Sequence, residues 1–177
     1  RELCERGFLC GMVSEEKAFR LCPAFTPMEE RDALLEQTRR YFTNYGPASI
    51  RDAAYYFDTS QAEIKKRLAR LPVEVAECEG QRLFSLHSGR MPEQAIPDCL
   101  LLAGFDPLVL GYEKKQSIFL PQEYLRGIFS LSGIVMPPVL LHGSAAGRWK
   151  RSGKRLFVTQ FRPFSWEERG FVETAVA

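Results

Sequence analysis

The chain has 177 residues, 45% of them hydrophobic, and its 24 Lys and Arg against 22 Asp and Glu give a formal charge of +2 at pH 7. This size and composition suffice for a globular protein with one large or two small buried cores. The overall charge gives no argument for a nucleic-acid partner, so such an argument has to rest on local clusters of cations.

The cysteines and the hydropathy pattern limit the class of protein. The five cysteines, at positions 4, 10, 22, 78 and 99, form no Cys-x-x-Cys pair and have no nearby histidine, which disfavours a disulfide framework and a metal site. No apolar run approaches the roughly 20 residues that span a bilayer, and no signal-peptide pattern opens the chain. The expectation is a cytoplasmic protein with reduced thiols, no membrane partner and no metal.

The first 25 residues have the pattern of an incomplete unit. Residues 1–7 are typical of a helix tail that ends at glycine, and two strands are predicted at 8–13 and 17–21, around a turn at 14–16. We interpret this as a severed hairpin, so that the chain begins inside a motif.

Three helices are predicted next. Apolar residues recur at three- and four-residue steps from Pro27 to Gly46, which predicts one amphipathic helix. Two shorter helices follow, each beginning where a hydroxyl and a carboxylate have the spacing of a helix cap. The capping pairs are Ser49 with Asp52 and Ser60 with Glu63.

Two strands from about Val73 to Leu86, with a turn at Glu79-Gly80, follow the third helix. Three helices and a two-stranded wing predict a winged helix-turn-helix over residues 26–87. The third helix presents Lys65, Lys66 and Arg70 away from its apolar seam, so it can enter the major groove of duplex DNA. The same charges fit a solvated surface helix, since acids equal bases at ten each between Met28 and Arg90.

The remainder is predicted to be rich in β-structure. A polar linker at 87–98 is followed by an apolar strand at 100–103, a turn at Asp106-Pro107 and a short helix at 122–129. Three strands are predicted at about 134–141, 145–150 and 155–161, before a final helix capped by Ser165. The predicted fold class is α+β: a winged helix-turn-helix followed, over residues 98–177, by a small antiparallel β-rich unit with a terminal helix.

The densest charge cluster of the chain lies between the last two predicted strands. Five cations occur within eight residues with no acid among them: Arg148, Lys150, Arg151, Lys154 and Arg155. Long cationic side chains on a rigid ribbon suit a phosphate backbone, and Trp149 can either stack on a base or pack inward. The alternative is a solvated turn with Trp149 in the core.

At these positions the chain resembles the winged-helix DNA-binding family that includes bacterial DNA glycosylases acting on alkylated bases and unhooking interstrand crosslinks. The resemblance runs from about Gly7 to the C-terminus. Its carriers are the segments Arg40-Tyr41, Tyr45-Gly46-Pro47-Ala48, Leu101-Leu102, Phe105-Asp106-Pro107, Gly111-Tyr112 and Gly143 with Gly147-Arg148-Trp149-Lys150. It implies tandem winged helices and a β-rich unit wrapped around DNA, with residues 1–25 as the remnant wing of a preceding module and an N-terminal portion of the same protein missing.

The chain departs from the family pattern in two places. The family's glycosylases position the hydrolytic water with a Gln-x-Gln motif in their N-terminal half, whereas no two of the seven glutamines here are two residues apart. No catalytic residue is therefore assigned. An Arg-Asp-Arg-like triplet is replaced by Glu113, Lys114 and Lys115, which keeps positive charge at Lys115 without the bidentate fork of arginine.

Other chemistries fit the sequence less well. The segment from Gly143 to Gly147 lacks the Gly-x-Ser-x-Gly pattern of a nucleophile elbow, and His87 and His142 lie far apart. Asp106 is better explained as a turn residue than as a substrate contact. No phosphate-binding glycine loop or dinucleotide fingerprint is present, so no cofactor is predicted. The leading hypothesis is binding of duplex DNA through its phosphates; the alternatives are a non-enzymatic transcriptional regulator and a protein-contact module.

Overall fold

The computed structural model describes residues 2–13, 17–78, 80–86 and 96–176. It is a mixed α/β structure in which strands pair antiparallel in two two-stranded sheets and one four-stranded sheet. The chain divides into two compact units, Arg1–Ala33 and Leu34–Ala177. In the described ranges, none of the helices combines the length and apolar character needed to cross a bilayer.

The first unit contains a short hairpin. Helix α1 (Glu2–Glu5) ends near Gly7, whose φ of +75° is a left-handed conformation that glycine adopts without a Cβ clash. Strands β1 (Leu9–Gly11) and β2 (Phe19–Leu21) then pair antiparallel. The predicted hairpin is confirmed with shorter strands, while its turn at 14–16 lies outside the described residues.

The three predicted helices are confirmed as α2 (Glu30–Asn44), α3 (Ile50–Tyr56) and α4 (Gln61–Leu68). Both predicted caps form as well. The Ser49 hydroxyl accepts a hydrogen bond from the Asp52 amide at 3.1 Å, and the Ser60 hydroxyl accepts one from the Glu63 amide at 3.2 Å. These bonds satisfy amides that the first turn of a helix leaves without partners, which fixes where α3 and α4 begin.

The predicted pair of strands follows as β3 (Glu74–Cys78) and β4 (Gln81–Ser85), paired antiparallel. The predicted turn at Glu79-Gly80 and the predicted linker at 87–98 lie wholly or partly outside the described residues. Phe42 and Ile64, both fully buried, lie at the centre of the core between the helices, and Phe84 of β4 packs on that core.

The four-stranded sheet has the order β5, β6, β7, β8, with every neighbour antiparallel. The strands are β5 (Cys99–Leu101), β6 (Pro138–Leu141), β7 (Ser144–Ser152) and β8 (Arg155–Gln160). The successive residues Val139, Leu140 and Leu141 of β6 are all nearly fully buried, and they alternate between two apolar clusters. The sheet is thus covered on both faces at its centre.

Three predictions for this region are refined by the structure. The predicted turn at Asp106-Pro107 is the start of helix α5 (Pro107–Leu110), in which the Asp106 carboxylate accepts from the Leu108 amide at 2.9 Å and proline fits the first helical position. The strand predicted at 134–141 is confined to β6. The helix predicted at 122–129 is a 3-10 turn (Gln122–Tyr124) that continues as α6 (Leu125–Ile128). The final helix, α7 (Trp166–Val176), is capped by Ser165 as predicted.

Within residues 34–177, hydrogen bonds join the three-helix region to the segment that follows α5. The Tyr41 hydroxyl donates to the Gly111 carbonyl at 2.7 Å, and the Tyr112 hydroxyl donates to the Tyr45 carbonyl at 2.8 Å. A side chain at Gly111 would come within 2.4 Å of the Tyr45 ring, so this close approach requires glycine.

Candidate nucleic-acid interface

The five clustered cations lie on the hairpin formed by β7 and β8. Directly paired residues of an antiparallel ladder share a face, so the pairing of Arg148 with Thr159, Lys150 with Phe157 and Ser152 with Arg155 places three cations on one face. Arg151 lies on the opposite face, and Lys154 lies in the turn beside Gly153. The structure therefore brings Arg148, Lys150 and Arg155 together.

The hairpin is held to the rest of the sheet from behind. The indole nitrogen of Trp149 donates to the Leu102 carbonyl at 2.8 Å, and the Trp149 ring packs against the apolar cluster that contains Val139 and Phe164. Of the two roles considered for Trp149, the structure shows the inward-packing one. A Cβ at Gly147 would lie 2.7 Å from the Thr159 carbonyl oxygen, so the two strands approach closely at this point.

The hairpin cations contact backbone carbonyls and rings. The Arg148 guanidinium donates to the Gly127 carbonyl at 3.4 Å and that of Arg151 to the Gly153 carbonyl at 2.9 Å, while the Lys150 ammonium lies 5.8 Å from the centre of the Phe157 ring. In the part of the chain that the structure describes, no carboxylate lies within 4 Å of a nitrogen of the five cationic side chains. Their charge is therefore available to an external anion.

Helix α4 presents a different charge environment. Its buried side consists of Ile64 and Leu68, while Leu71, predicted to share that side, is only partly buried beyond the end of the helix. Lys65 and Lys66 are exposed on α4, and Arg70, predicted on the same helix, is exposed after its C-terminal end. The Glu63 carboxylate lies 3.7 Å from the Lys66 ammonium and 3.4 Å from the Arg67 guanidinium. Part of the positive charge of α4 is therefore neutralised on the helix itself.

The structure adds cations beside α4 that the sequence analysis did not select. Lys65 lines a cleft of about 350 Å³ together with Arg51 of α3 and Arg82 of β4. Arg51 and Arg82 are 31 residues apart and belong to no charge run, so only the packing of the helices on the β3–β4 hairpin brings them beside Lys65.

Lys115 belongs neither to the cations of the β7–β8 hairpin nor to those at and beside α4. It belongs to the 3-10 helix Lys114–Gln116 and lines a second cleft, of about 360 Å³, with Lys114 and Arg126. The Glu113 carboxylate accepts hydrogen bonds from the Lys115 and Gln116 amides, each at 3.0 Å, and so caps this helix. Sequence reasoning selected Lys115 but missed Arg126, which no motif marks.

The other residues weighed on sequence grounds have structural roles. His142 lies in the tight turn between β6 and β7, exposed and 3.3 Å from the Asp98 carboxylate. Asp106 caps α5, and Ser144 begins β7. His87 lies outside the described residues. Among the residues that the structure describes, no three His, Cys, Asp or Glu side chains form a group that could hold a metal ion.

Burial and hydrogen bonds shift the pKa values of several groups. Burial raises the pKa of Tyr112 to about 12 and raises that of Tyr41 further, so both remain neutral hydrogen-bond donors. Hydrogen bonds from Arg162 and from the Ser165 amide lower the pKa of Glu168 to about 2.

Comparison with known proteins finds a family model, a relative and a solved structure that are all described as DNA glycosylases. A family model described as "DNA glycosylase AlkZ-like" matches residues 5–177. An "Interstrand DNA cross-link repair glycosylase" of Streptomyces sahachiroi is 28% identical over 131 residues, covering 70% of this chain and 35% of that protein. The solved structure of Streptomyces sahachiroi DNA glycosylase AlkZ superposes with a TM-score of 0.76 at 23% identity, covering 96% of this chain and 50% of that one. The chain thus spans half or less of the length of these relatives.

Proposed function

The chain belongs to the AlkZ-like family of DNA glycosylases, and from this membership we propose that it binds duplex DNA as the C-terminal part of a protein that repairs alkylated or crosslinked bases. The observation that carries the proposal is the β7–β8 hairpin, whose cations have no carboxylate nearby among the described residues. Its contacts are proposed to be with phosphates, because long cationic side chains neutralise the charged backbone of a duplex whatever its sequence.

The proposal includes a winged helix-turn-helix over residues 26–87, a β-rich unit over 98–177 and residues 1–25 as the remnant wing of a preceding module. The order of α2, α3, α4, β3 and β4 supports the winged helix. In this arrangement the secondary contacts are Lys65 and Lys66 of α4, Arg70 just after α4, and Lys115. The hairpin residues Arg148, Lys150, Arg151, Lys154 and Arg155 are the principal ones.

Salt dependence tests the role of the hairpin. The logarithm of the DNA association constant falls linearly as the logarithm of the salt concentration rises. Each phosphate that the protein neutralises adds about 0.9 to the magnitude of this slope. Replacing the five hairpin cations by alanine should therefore lower that slope by about 4 to 5 units. The measurement is fluorescence anisotropy with a labelled duplex of arbitrary sequence at several salt concentrations.

A double substitution provides a matched control. Lys150→Gln with Arg155→Gln should lower the slope by about 2 units. Arg39→Gln with Arg40→Gln removes the same charge from α2, where both guanidinium groups already lie 2.7 Å from the Glu36 carboxylate, and should leave the slope unchanged. An unchanged slope in the hairpin variants would exclude the hairpin from the interface.

A second candidate function is a non-enzymatic transcriptional regulator, because three helices followed by a two-stranded wing also occur in proteins that bind DNA without chemistry. The two candidates differ in two measurable properties. Release of a modified base from alkylated duplex by the full-length protein supports the glycosylase, with no such release from this chain alone. Footprints on one preferred sequence support the regulator.

A further inference from the structure

The cleft at Lys115 combines aromatic rings with cations. Its volume of about 360 Å³ lies within the range of about 300–1,000 Å³ that is typical of small-molecule sites. Its walls come from α3, the segment before α5, the 3-10 helix Lys114–Gln116 and α6. The residues that matter chemically are Tyr55, Phe105, Lys114, Lys115, Arg126 and Phe129.

Two aromatic residues of this cleft stay accessible although they line a concave surface. Phe105 is 54% exposed and Tyr55 is 40% exposed. Phe105 also has a φ of +59°, a left-handed conformation that is uncommon for a bulky residue and costs energy. The fold therefore places an apolar ring in contact with solvent on a backbone conformation that is uncommon for phenylalanine.

The cations of the cleft are arranged around these rings. The Lys114 ammonium lies 4.4 Å from the centre of the Phe129 ring and 5.6 Å from that of Tyr55, which holds it at the wall. Lys115 and Arg126 are exposed at the same cleft. Among the described residues that line the cleft there is one carboxylate, that of Glu113, and both of its oxygens accept hydrogen bonds from backbone amides of the 3-10 helix. The cleft therefore carries a net positive charge beside accessible π-faces.

We propose that this cleft binds an unpaired nucleotide of a DNA strand, with its base against Phe105 and Tyr55 and its phosphate beside Lys115 and Arg126. Any base offers a π-face for stacking, and each phosphate carries one negative charge, so the two halves of a nucleotide match the two halves of the cleft. A base inside an intact duplex already has both faces stacked on its neighbours and cannot use the rings. This assignment rests on the proposed DNA-binding function and adds a preference that the hairpin alone does not provide.

The test compares two labelled duplexes that are identical except for one extra, unpaired thymidine in one strand of the second. The chain should bind the bulged duplex about tenfold more tightly, the size of effect that one base stacked on an aromatic side chain gives. Phe105→Asn removes the ring while keeping a residue that tolerates positive φ, and it should abolish the difference. Arg126→Gln should reduce the difference about threefold through loss of a phosphate contact.

Two variants on α7 are matched controls. Trp166→Asn removes an aromatic ring that is 90% exposed, and Arg169→Gln removes one exposed positive charge. Both should leave the preference for the bulged duplex unchanged. Circular dichroism of each variant checks that it folds.

The outcomes separate this inference from the proposed function. Equal affinity for the two duplexes overturns the nucleotide site while leaving binding of paired DNA intact, whereas failure to bind either duplex overturns both. A preference that survives Phe105→Asn also overturns the site. Thymidine monophosphate should displace the labelled bulged duplex only at concentrations far above those at which the unlabelled bulged duplex displaces it. Displacement by both at similar concentrations would instead assign the cleft to free nucleotides.

Discussion

Helix α4 and the β7–β8 hairpin both carry clustered cations, but their surroundings differ. On α4, Glu63 lies within 4 Å of both Lys66 and Arg67, whereas the hairpin has no such carboxylate in the part of the chain that the structure describes. The balance of ten acids and ten bases around α4, against five cations in a row of eight residues on the hairpin, already indicated this difference. A count of basic residues therefore measures attraction for a polyanion only after neighbouring carboxylates are subtracted.

The largest expected effect on stability comes from removing a buried side chain that packs α4 against the core, which separates the role of α4 from that of the hairpin. Ile64 is fully buried on the inner side of this helix, so Ile64→Ala should lower the free energy of unfolding by about 2–5 kcal/mol. Urea denaturation measures this change, with the exposed Lys65→Ala as the control. If DNA affinity stays normal under conditions where the variant remains folded, binding depends on the hairpin; a loss below 1 kcal/mol would contradict the described core.

A smaller effect is expected behind the hairpin. Trp149→Phe keeps a ring but deletes the donor to the Leu102 carbonyl, which should cost about 1–3 kcal/mol because that carbonyl loses its partner. Thermal unfolding followed by near-ultraviolet circular dichroism detects the change. Trp166→Phe, at a residue that is 90% exposed, is the matched control and should have no effect. Equal stability of the two variants would show that Trp149 does not anchor the hairpin.

The ion pair between Arg162 and Glu168, beside the four-stranded sheet, should make the stability of the fold depend on pH. Because Arg162 and the Ser165 amide lower the folded-state pKa of Glu168 to about 2, the carboxylate stabilises the fold fully above its ordinary pKa of about 4.5. That contribution is lost as the pH falls from about 4.5 to about 2. Glu168→Gln should therefore lower stability at pH 7 by about 1 kcal/mol and flatten the acid limb of a plot of Tm against pH. Glu167→Gln, at the exposed neighbour, should keep the wild-type profile.

The smallest effect concerns the acid on α4 itself. Glu63→Gln removes the carboxylate beside the exposed Lys66 ammonium and beside the Arg67 guanidinium, whose side chain is only 11% exposed, and it should lower stability by no more than about 1 kcal/mol. If α4 touches DNA, affinity at low salt should rise about threefold, because the loss of one negative charge leaves the exposed Lys66 ammonium free to meet a phosphate. Anisotropy titrations measure this, with Glu167→Gln on α7 as the control. Unchanged affinity would restrict the interface to the hairpin.

Local signals explain which elements were predictable. Ser49 with Asp52 and Ser60 with Glu63 predicted the starts of α3 and α4, because a cap depends on residues within one turn of each other. The cation run likewise predicted the basic hairpin. Asp106 makes the local hydrogen bond expected of a turn residue, accepting from the Leu108 amide. The same dipeptide also begins a helix, and only the continuation of the chain as α5 shows this.

By itself, the sequence determined the order of most helices and strands, the basic hairpin and the family resemblance, all of which depend on residues close together in the chain. Tertiary structure alone decided which side chains share a surface. Tyr55, Phe105 and Arg126 meet at one cleft although up to 71 residues separate them, and Arg51 and Arg82 join Lys65 in the same way. The physical reason is that such neighbours result from the packing of α3, α6 and the strands, to which no local pattern of residues corresponds.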